Sequence, residues 1–405
     1  MRNLKFGVIV VIIAFFAQNT SAQTSYDDLL GQDGTINTIT TSVPFLMIAP
    51  DARGGALGDA GVASSPDVYS MHWNPAKYAF IEQNMGFSVS YSPWLKALVN
   101  DISLAYLTGY YKLKDDQVIA SSLRYFSLGE IIFTDNIGTE IGQFSPSEFA
   151  LDVAYSRKFS DNISGSVALR YIYSNLTGGI FVSGAQSKPG QSVAADVSFY
   201  YQKEVEMGDL PGMFAFGANI SNIGAKITYT EIQQRSFIPI NLRVGPSLSL
   251  EIDEYNEIMF TFDLNKLLVP TPPIYLRDSA GQPVKDDVTG EYVIDEGKDP
   301  DRSVVSGMFG SFSDAPGGFK EEFHEINYSI GTEYWYDQQF AIRGGFFYEH
   351  PTKGNRKYIT VGAGLRYNVF GLDFSYLIPL EQRNPLENTL RFTLVFNFEA
   401  ANAAD

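Results

Sequence analysis

The feature that most constrains this chain is a series of long segments in which bulky apolar residues alternate with small or polar ones. Fourteen of them can be marked, at 85–93, 100–112, 117–127, 148–158, 163–174, 193–203, 213–221, 239–250, 257–265, 326–336, 339–348, 357–367, 370–378 and 389–398. In one, Ile163, Val167, Leu169, Tyr171 and Tyr173 alternate with Ser164, Ser166, Ala168 and Arg170. In another, Leu390, Phe392, Leu394, Phe396 and Phe398 alternate with Arg391, Thr393 and Asn397. A period of two belongs to a strand with two unlike faces. Alternation alone fits a soluble sandwich or a membrane barrel, and three features favour the barrel. Many segments reach the roughly 9–11 residues a tilted transmembrane strand needs, whereas globular strands centre on about 5–6. Aromatic residues gather near segment ends, as at Tyr91 and Trp94, Tyr110 and Tyr111, and Tyr334 to Tyr336, where interfacial girdles belong. Connections also alternate: 128–147, 175–192, 222–238 and 266–325 are long, while Asp115-Asp116, Asp337-Gln338 and Asn368-Val369 are tight. Short periplasmic turns and long outer loops give this pattern. A closed sheet also pairs every backbone group inside the bilayer. The expectation is an all-β fold, a transmembrane antiparallel β-barrel of about 14 strands spanning 84–398.

The N-terminus reads as a targeting segment. Arg2 and Lys5 precede an apolar run from Phe6 to Ala17, and small residues follow at Thr20-Ser21-Ala22. That is the pattern of a secretory signal peptide, 1–22, too short to span a bilayer. The chain carries no cysteine among its 405 residues, which excludes disulfide scaffolds, thiolate metal sites and thiol nucleophiles. A net charge of −17 argues against a nucleic-acid partner.

Residues 23–83 do not alternate. From Phe45 to Phe80 the chain is rich in Gly, Ala, Ser and Asp, with Gly54, Gly55, Gly58 and Gly61 recurring about every third residue. Such residues allow tight turns and close backbone approach. The segment is apolar enough to pack as a plug, or hatch, inside the barrel; a flexible periplasmic tail is the plainer alternative. Asp51, Arg53, Asp59, Asp67 and Lys77 could then pair with polar lumen groups. A Gly/Ala-rich segment ending in Trp73-Asn74-Pro75-Ala76 just before the first strand resembles the FadL-like outer-membrane barrels. The fuller pattern, from Ala49-Pro50-Asp51-Ala52-Arg53-Gly54-Gly55 through Gly58-Asp59-Ala60-Gly61-Val62 to Asn74-Pro75-Ala76-Lys77, resembles the PorV (LptO) family of the type IX secretion system. One departure lies at the other end. Such barrels often finish on a terminal Phe, whereas Phe398 is followed by a tail, 399–405, so either the insertion signal is internal or the tail is not native.

The resemblance implies a non-enzymatic outer-membrane protein that binds the C-terminal domains of secreted cargo. It also implies a very large translocon barrel as partner, and delivery to a surface sortase-like complex that attaches cargo to lipopolysaccharide. A FadL-like transporter of hydrophobic small molecules is the alternative from another class, which an apolar pocket beside the plug would favour. A porin-like structural barrel and a lipopolysaccharide deacylase are lesser alternatives.

Little chemistry stands out otherwise. His72, His324 and His350 are isolated, and none sits in a ligand spacing such as HExxH; His72 reads as a plug residue, the others as loop or rim. Gly245-Pro246-Ser247-Leu248-Ser249 fails the nucleophile-elbow pattern at its last position. No catalytic residue, metal ligand or cofactor is expected. The outer loop from Lys266 to Glu325 carries 12 acidic and 6 basic side chains. Its acidic cluster does not match an EF-hand and reads as solvated. Phe309, Phe312, Phe319 and Phe323 in it have no obvious core. They either fold over the barrel mouth or form a partner surface.

Overall fold

The computed structural model describes residues 36–398 except 97, 100, 135–139, 180, 183–184, 231–234, 280–281 and 382–383. The expected signal peptide, residues 23–35 and the tail 399–405 lie outside the described residues.

Fourteen strands form one closed antiparallel barrel. They are β1 (Met85–Pro93), β2 (Ile102–Lys114), β3 (Gln117–Leu128), β4 (Ser147–Lys158), β5 (Ile163–Asn175), β6 (Gly190–Met207) and β7 (Leu210–Gly224). The second half comprises β8 (Asn241–Glu251), β9 (Asn256–Leu267), β10 (Ile326–Tyr336), β11 (Phe340–Tyr348), β12 (Lys357–Tyr367), β13 (Phe370–Pro379) and β14 (Leu390–Phe398). Each pairs with its sequence neighbour, and β1 closes on β14 from Met85↔Phe398 to Tyr91↔Phe392. All fourteen segments marked in the sequence are strands of this barrel. Among the described residues no helix is long and apolar enough to cross a membrane; the crossing is made by strands.

Alternation sorts the two faces. Outward Val167 and Leu169 are 55% and 63% exposed, while Ser156 and Ser164 on the inward face are fully buried. The outward face is the surface that lipid covers, so its exposed apolar residues have a solvent they prefer.

Two differences from the sequence reading have physical causes. β6 and β7 run well past the expected 193–203 and 213–221, pairing on to Met207↔Leu210. Apolar alternation marks only the stretch that faces lipid, whereas backbone pairing continues into water. β8 begins at Asn241 rather than 239, because Pro239 has no N–H to offer a ladder; Ile238 and Ile240 instead bury themselves in a cluster at the long-loop mouth.

The segment from Val43 to Ile81 runs down the inside of this barrel. Its upper end joins the mouth cluster: Phe45 stacks on Phe126 at 6.2 Å, and Ser42 N donates to Phe237 O at 2.9 Å. Its lower end reaches the short-turn rim, where Phe80 lies 5.7 Å from Tyr200. Two short helices punctuate it, α1 (Ala52–Ala56) and α2 (Ser70–Trp73), the latter followed by a 3-10 turn over Pro75–Phe80. In the outer loop after β9, α3 (Val304–Gly310) and α4 (Gly318–His324) follow a two-stranded ribbon.

Candidate functional site: the filled lumen and the outer loop

Asp51 organises the upper half of the inner segment. Its carboxylate caps α1 by accepting from Gly54 N at 2.7 Å and also accepts from Trp73 Nε1 at 2.7 Å. One side chain thus satisfies an orphan helix donor and fixes a buried indole. Trp73 is fitted between two glycines. A Cβ on Gly54 would lie 2.2 Å from its ring, and one on Gly61 would lie 2.6 Å from it. Gly58 has φ +72° and meets the Phe346 backbone, so its backbone shape and its space both require glycine. Gly55 lies against Arg391. Asp59 accepts from Tyr358 Oη at 2.6 Å and pairs with Arg391 at 3.5 Å.

The Asn74-Pro75-Ala76 step is a junction with the wall. Asn74 Oδ1 accepts from Ala76 N, capping the turn, and Pro75 takes the first position, where a missing N–H costs nothing. Asn74 Nδ2 donates to Val62 O and to Phe199 O in β6, both at 2.9 Å. Ser156 Oγ and Ser164 Oγ donate to the carbonyls of Pro75 and Ala76 at 2.7 Å. Opposite, Asp263 Oδ2 in β9 accepts from Gly61 N and Val62 N at 2.7 and 2.9 Å. Lys77 Nζ donates to Gly61 O and Ser64 Oγ, both at 2.9 Å. Backbone groups that no helix or sheet would satisfy are therefore paired with the wall.

An alternating ionic chain crosses from segment to barrel. Arg53 NH1 meets Asp67 at 2.7 Å, and its Nε and NH2 bracket Glu333 of β10 at 3.0 and 2.6 Å. Glu333 also accepts from Arg343 Nε of β11 at 2.5 Å, and Arg343 NH1 reaches Asp373 of β13 at 2.7 Å. Asp373 is completed by Arg366 of β12 at 2.7 Å and by the Tyr69 hydroxyl at 2.6 Å. Three carboxylates and three guanidiniums alternate, so buried charge is compensated locally. Above it, Arg170 joins Asp152 and Asp196 across β4, β5 and β6.

Arg124 of β3 donates to Leu46 O at 2.6 Å and to His72 Nδ1 at 2.7 Å. A guanidinium has only donors, so the His72 ring proton sits on Nε2. The hollow beside His72, lined by Arg170, Asn219, Asn241 and Arg243, measures about 10 Å³. That is room for about one water and is polar.

In the outer loop, Val304 and Met308 of α3 pack onto the mouth cluster. Phe309, Phe312, Phe319 and Phe323 instead stand 68%, 48%, 77% and 50% exposed. The loop is tethered by Lys266 to Glu322 and Glu325, and by Lys353 to Glu321 and Glu325. His324 and His350 stack nearly parallel at 3.5 Å between ring centroids. Burial, then the charge of its neighbour, pulls His350 down to about 4; burial also lowers His324. Partial burial pushes Asp314 up. Among the described residues no group of three or more metal-ligating side chains is found.

Sequence reasoning named the segment's charges but missed the wall residues Arg124 and Asp263, which bond its backbone, and Arg343 and Asp373, which complete the ionic chain. Arg124, Arg343 and Asp373 are each a lone charge at an inward position of an otherwise uncharged stretch, which is the signal that could have found them. The histidine stack joins residues from two loops and left no local sign.

A family model described as type IX secretion system protein PorV matches residues 31–274. No curated protein matches the chain. Among solved structures it is similar to the toluene transporter TodX of Pseudomonas putida, at 13% identity and TM-score 0.46, covering 86% of this chain and 96% of that one. It is also similar to a FadL homologue of Pseudomonas aeruginosa, at 11% identity and TM-score 0.42, covering 90% and 100%. A third is the toluene transporter TbuX of Ralstonia pickettii, at 10% identity and TM-score 0.46, covering 87% and 98%.

Proposed function

The chain belongs to the PorV family of the type IX secretion system, whose model spans more than half of it, and from that premise we propose that it is a plugged, non-enzymatic outer-membrane adaptor. In this reading residues 23–83 are the plug and 84–398 the barrel. The outer loops receive the C-terminal domains of secreted cargo, the large translocon barrel, or both. Cargo then passes to the surface attachment complex.

The observation that carries the reading is the filled lumen. Asp51, Arg53, Gly54, Gly55, Gly58, Asp59, Gly61 and Trp73 to Ala76 act as the plug's locking residues. A segment hydrogen-bonded to nearly every side of the wall occupies the lumen at that level, which supports placing the work at the rim. There, Phe309, Phe312, Phe319 and Phe323 offer exposed apolar area on a tethered loop, the composition of a partner surface. The hollow beside His72 is polar and water-sized, which gives the hydrophobic-transporter alternative no support there.

The test is a quadruple variant, Phe309→Ser, Phe312→Ser, Phe319→Ser and Phe323→Ser, expressed in place of the native chain. The adaptor reading expects the barrel to insert normally while secreted proteins bearing the C-terminal domain accumulate in the periplasm. Unchanged secretion would remove these residues from the partner surface.

A further inference from the structure

At the short-turn end the barrel opens into a hollow of about 770 Å³ between the foot of the inner segment and the ends of β6 to β9. It exists because one hairpin overshoots. β6 and β7 have 18 and 15 residues, against 9 in β1 and 13 in β2.

The inward face of β6 changes character along its length. Deep in the barrel it carries Ser192, Asp196 and Ser198, with Asp196 neutralised by Arg170. Beyond Tyr200 the same face carries Gln202, Glu204 and Glu206, and the hollow gains Glu251 from β8, Glu257 from β9 and Glu82 from the inner segment. Among the described residues no lysine or arginine lines it. Its apolar lining comes from Phe80, Pro66 and Met213.

Tyr200 is the second observation. It is 1% exposed, lies against Phe80, lines the hollow, and makes no hydrogen bond through its hydroxyl to any described residue. The ring is buried, but the hydroxyl oxygen is not among the fully buried unpaired atoms, so it opens onto the hollow and is free to take a hydrogen-bond partner there. Carboxylates facing one concave space also repel each other. One kind of ligand answers both features: a cation with N–H donors on apolar stems.

We propose that this hollow is a docking pocket for a lysine- or arginine-bearing peptide segment of a protein partner on the short-turn side, which in outer-membrane barrels is periplasmic. Charge complementarity and spread select a peptide over a metal ion or simple amine. β6 and β9 lie three strand spacings apart, roughly 14 Å, so no single small cation meets both edges. An extended peptide presents same-face side chains every ~7 Å and can meet carboxylates on β6, β8 and β9 together. Its backbone supplies a partner for the Tyr200 hydroxyl. The inference rests on the hollow alone and is independent of the role proposed for the outer loops.

The test uses the full chain in nonionic detergent with a fluorescein-labelled heptapeptide of alternating lysine and tyrosine, read by fluorescence anisotropy. Saturable binding is expected. It should weaken at least ~10-fold in a Glu204→Gln, Glu206→Gln, Glu251→Gln variant, and a few-fold in Tyr200→Phe. A control variant, Asp286→Asn, Asp287→Asn and Glu291→Gln in the outer loop, removes the same charge and should leave binding unchanged. Equal loss in that control, no saturable binding, or displacement of the peptide by an equimolar polyamine would each overturn the proposal. Retained heat-modifiable migration on gels verifies that each variant is folded.

Discussion

Glu333 stands at the centre of the ionic chain that joins the inner segment to the wall. It sits between Arg53 of the inner segment and Arg343 of the wall, and all three side chains are buried, at 1%, 6% and 0% exposure. Replacing it in Glu333→Ala leaves two guanidiniums facing each other across the space it filled. Breaking a buried pair by removing one partner costs about 3–5 kcal/mol. Arg53 retains Asp67 and Arg343 retains Asp373, so the lower end, about 3 kcal/mol, is the expected loss. At about 1.4 kcal/mol per tenfold, the docked segment becomes roughly 100-fold less favoured over an undocked one. Single-barrel conductance in planar bilayers reads this directly. The native chain should hold a closed baseline and Glu333→Ala should show frequent ion-conducting openings. Ser329→Ala on the same strand is the control, since among the described residues its one bond to the segment is a weak one of 3.4 Å to Asp59 O. A variant baseline as quiet as the native one, with a denaturation midpoint within about 1 kcal/mol of it, would refute the argument that this ionic chain holds the segment in place.

Three further outcomes follow from the geometry. Gly54→Val drives a side chain into the Trp73 ring and should cost about 1–3 kcal/mol by overpacking, whereas Gly142→Val, with nothing within 4 Å, should be neutral; heat-modifiability on gels separates them. Asp51→Ala removes the α1 cap and the indole partner together, with an expected loss of about 1–3 kcal/mol and a red-shifted Trp emission if Trp73 becomes wet. The His324–His350 stack gives a pH dependence. His350 titrates near 4 in the folded protein against 6.5 unfolded, so the unfolded state binds more protons in between and stability of this contact rises with pH across that window. It is therefore complete above about 6.5 and declines as pH falls toward 4. Hydrogen exchange of 318–325 and 349–356 should quicken from pH 7 to 4.5 after correction for intrinsic rates, and His350→Gln should reduce the change, leaving the share that comes from His324.

The strands were legible because each is decided locally. Val89 must face lipid and Ser90 must not, and the two-residue period states that without any knowledge of the partner strand. The glycine spacing and the Trp73-Asn74-Pro75-Ala76 motif were visible in the sequence, but what demands each glycine was not, since Gly55 lies against Arg391 and Gly58 against the Phe346 backbone. The lock itself was not. Arg53 and Glu333 are 280 positions apart, and which inward charge meets which segment charge depends on barrel closure and register. The overshoot of β6 was hidden too, because water-exposed pairing carries no apolar signature. The outer loop falls between these cases: its four phenylalanines were visible, but Val304 and Met308, which anchor it, look no different from them in sequence.

In the proposed function this barrel works with other proteins at its rim and passes nothing through its lumen. Affinity isolation from outer membranes in mild detergent, read by mass spectrometry, tests that most directly. The account predicts co-isolation of a very large outer-membrane barrel, or of secreted proteins sharing a C-terminal domain. Recovery of the barrel alone, with fatty-acid-like molecules bound inside it, would contradict the account and make it a transporter.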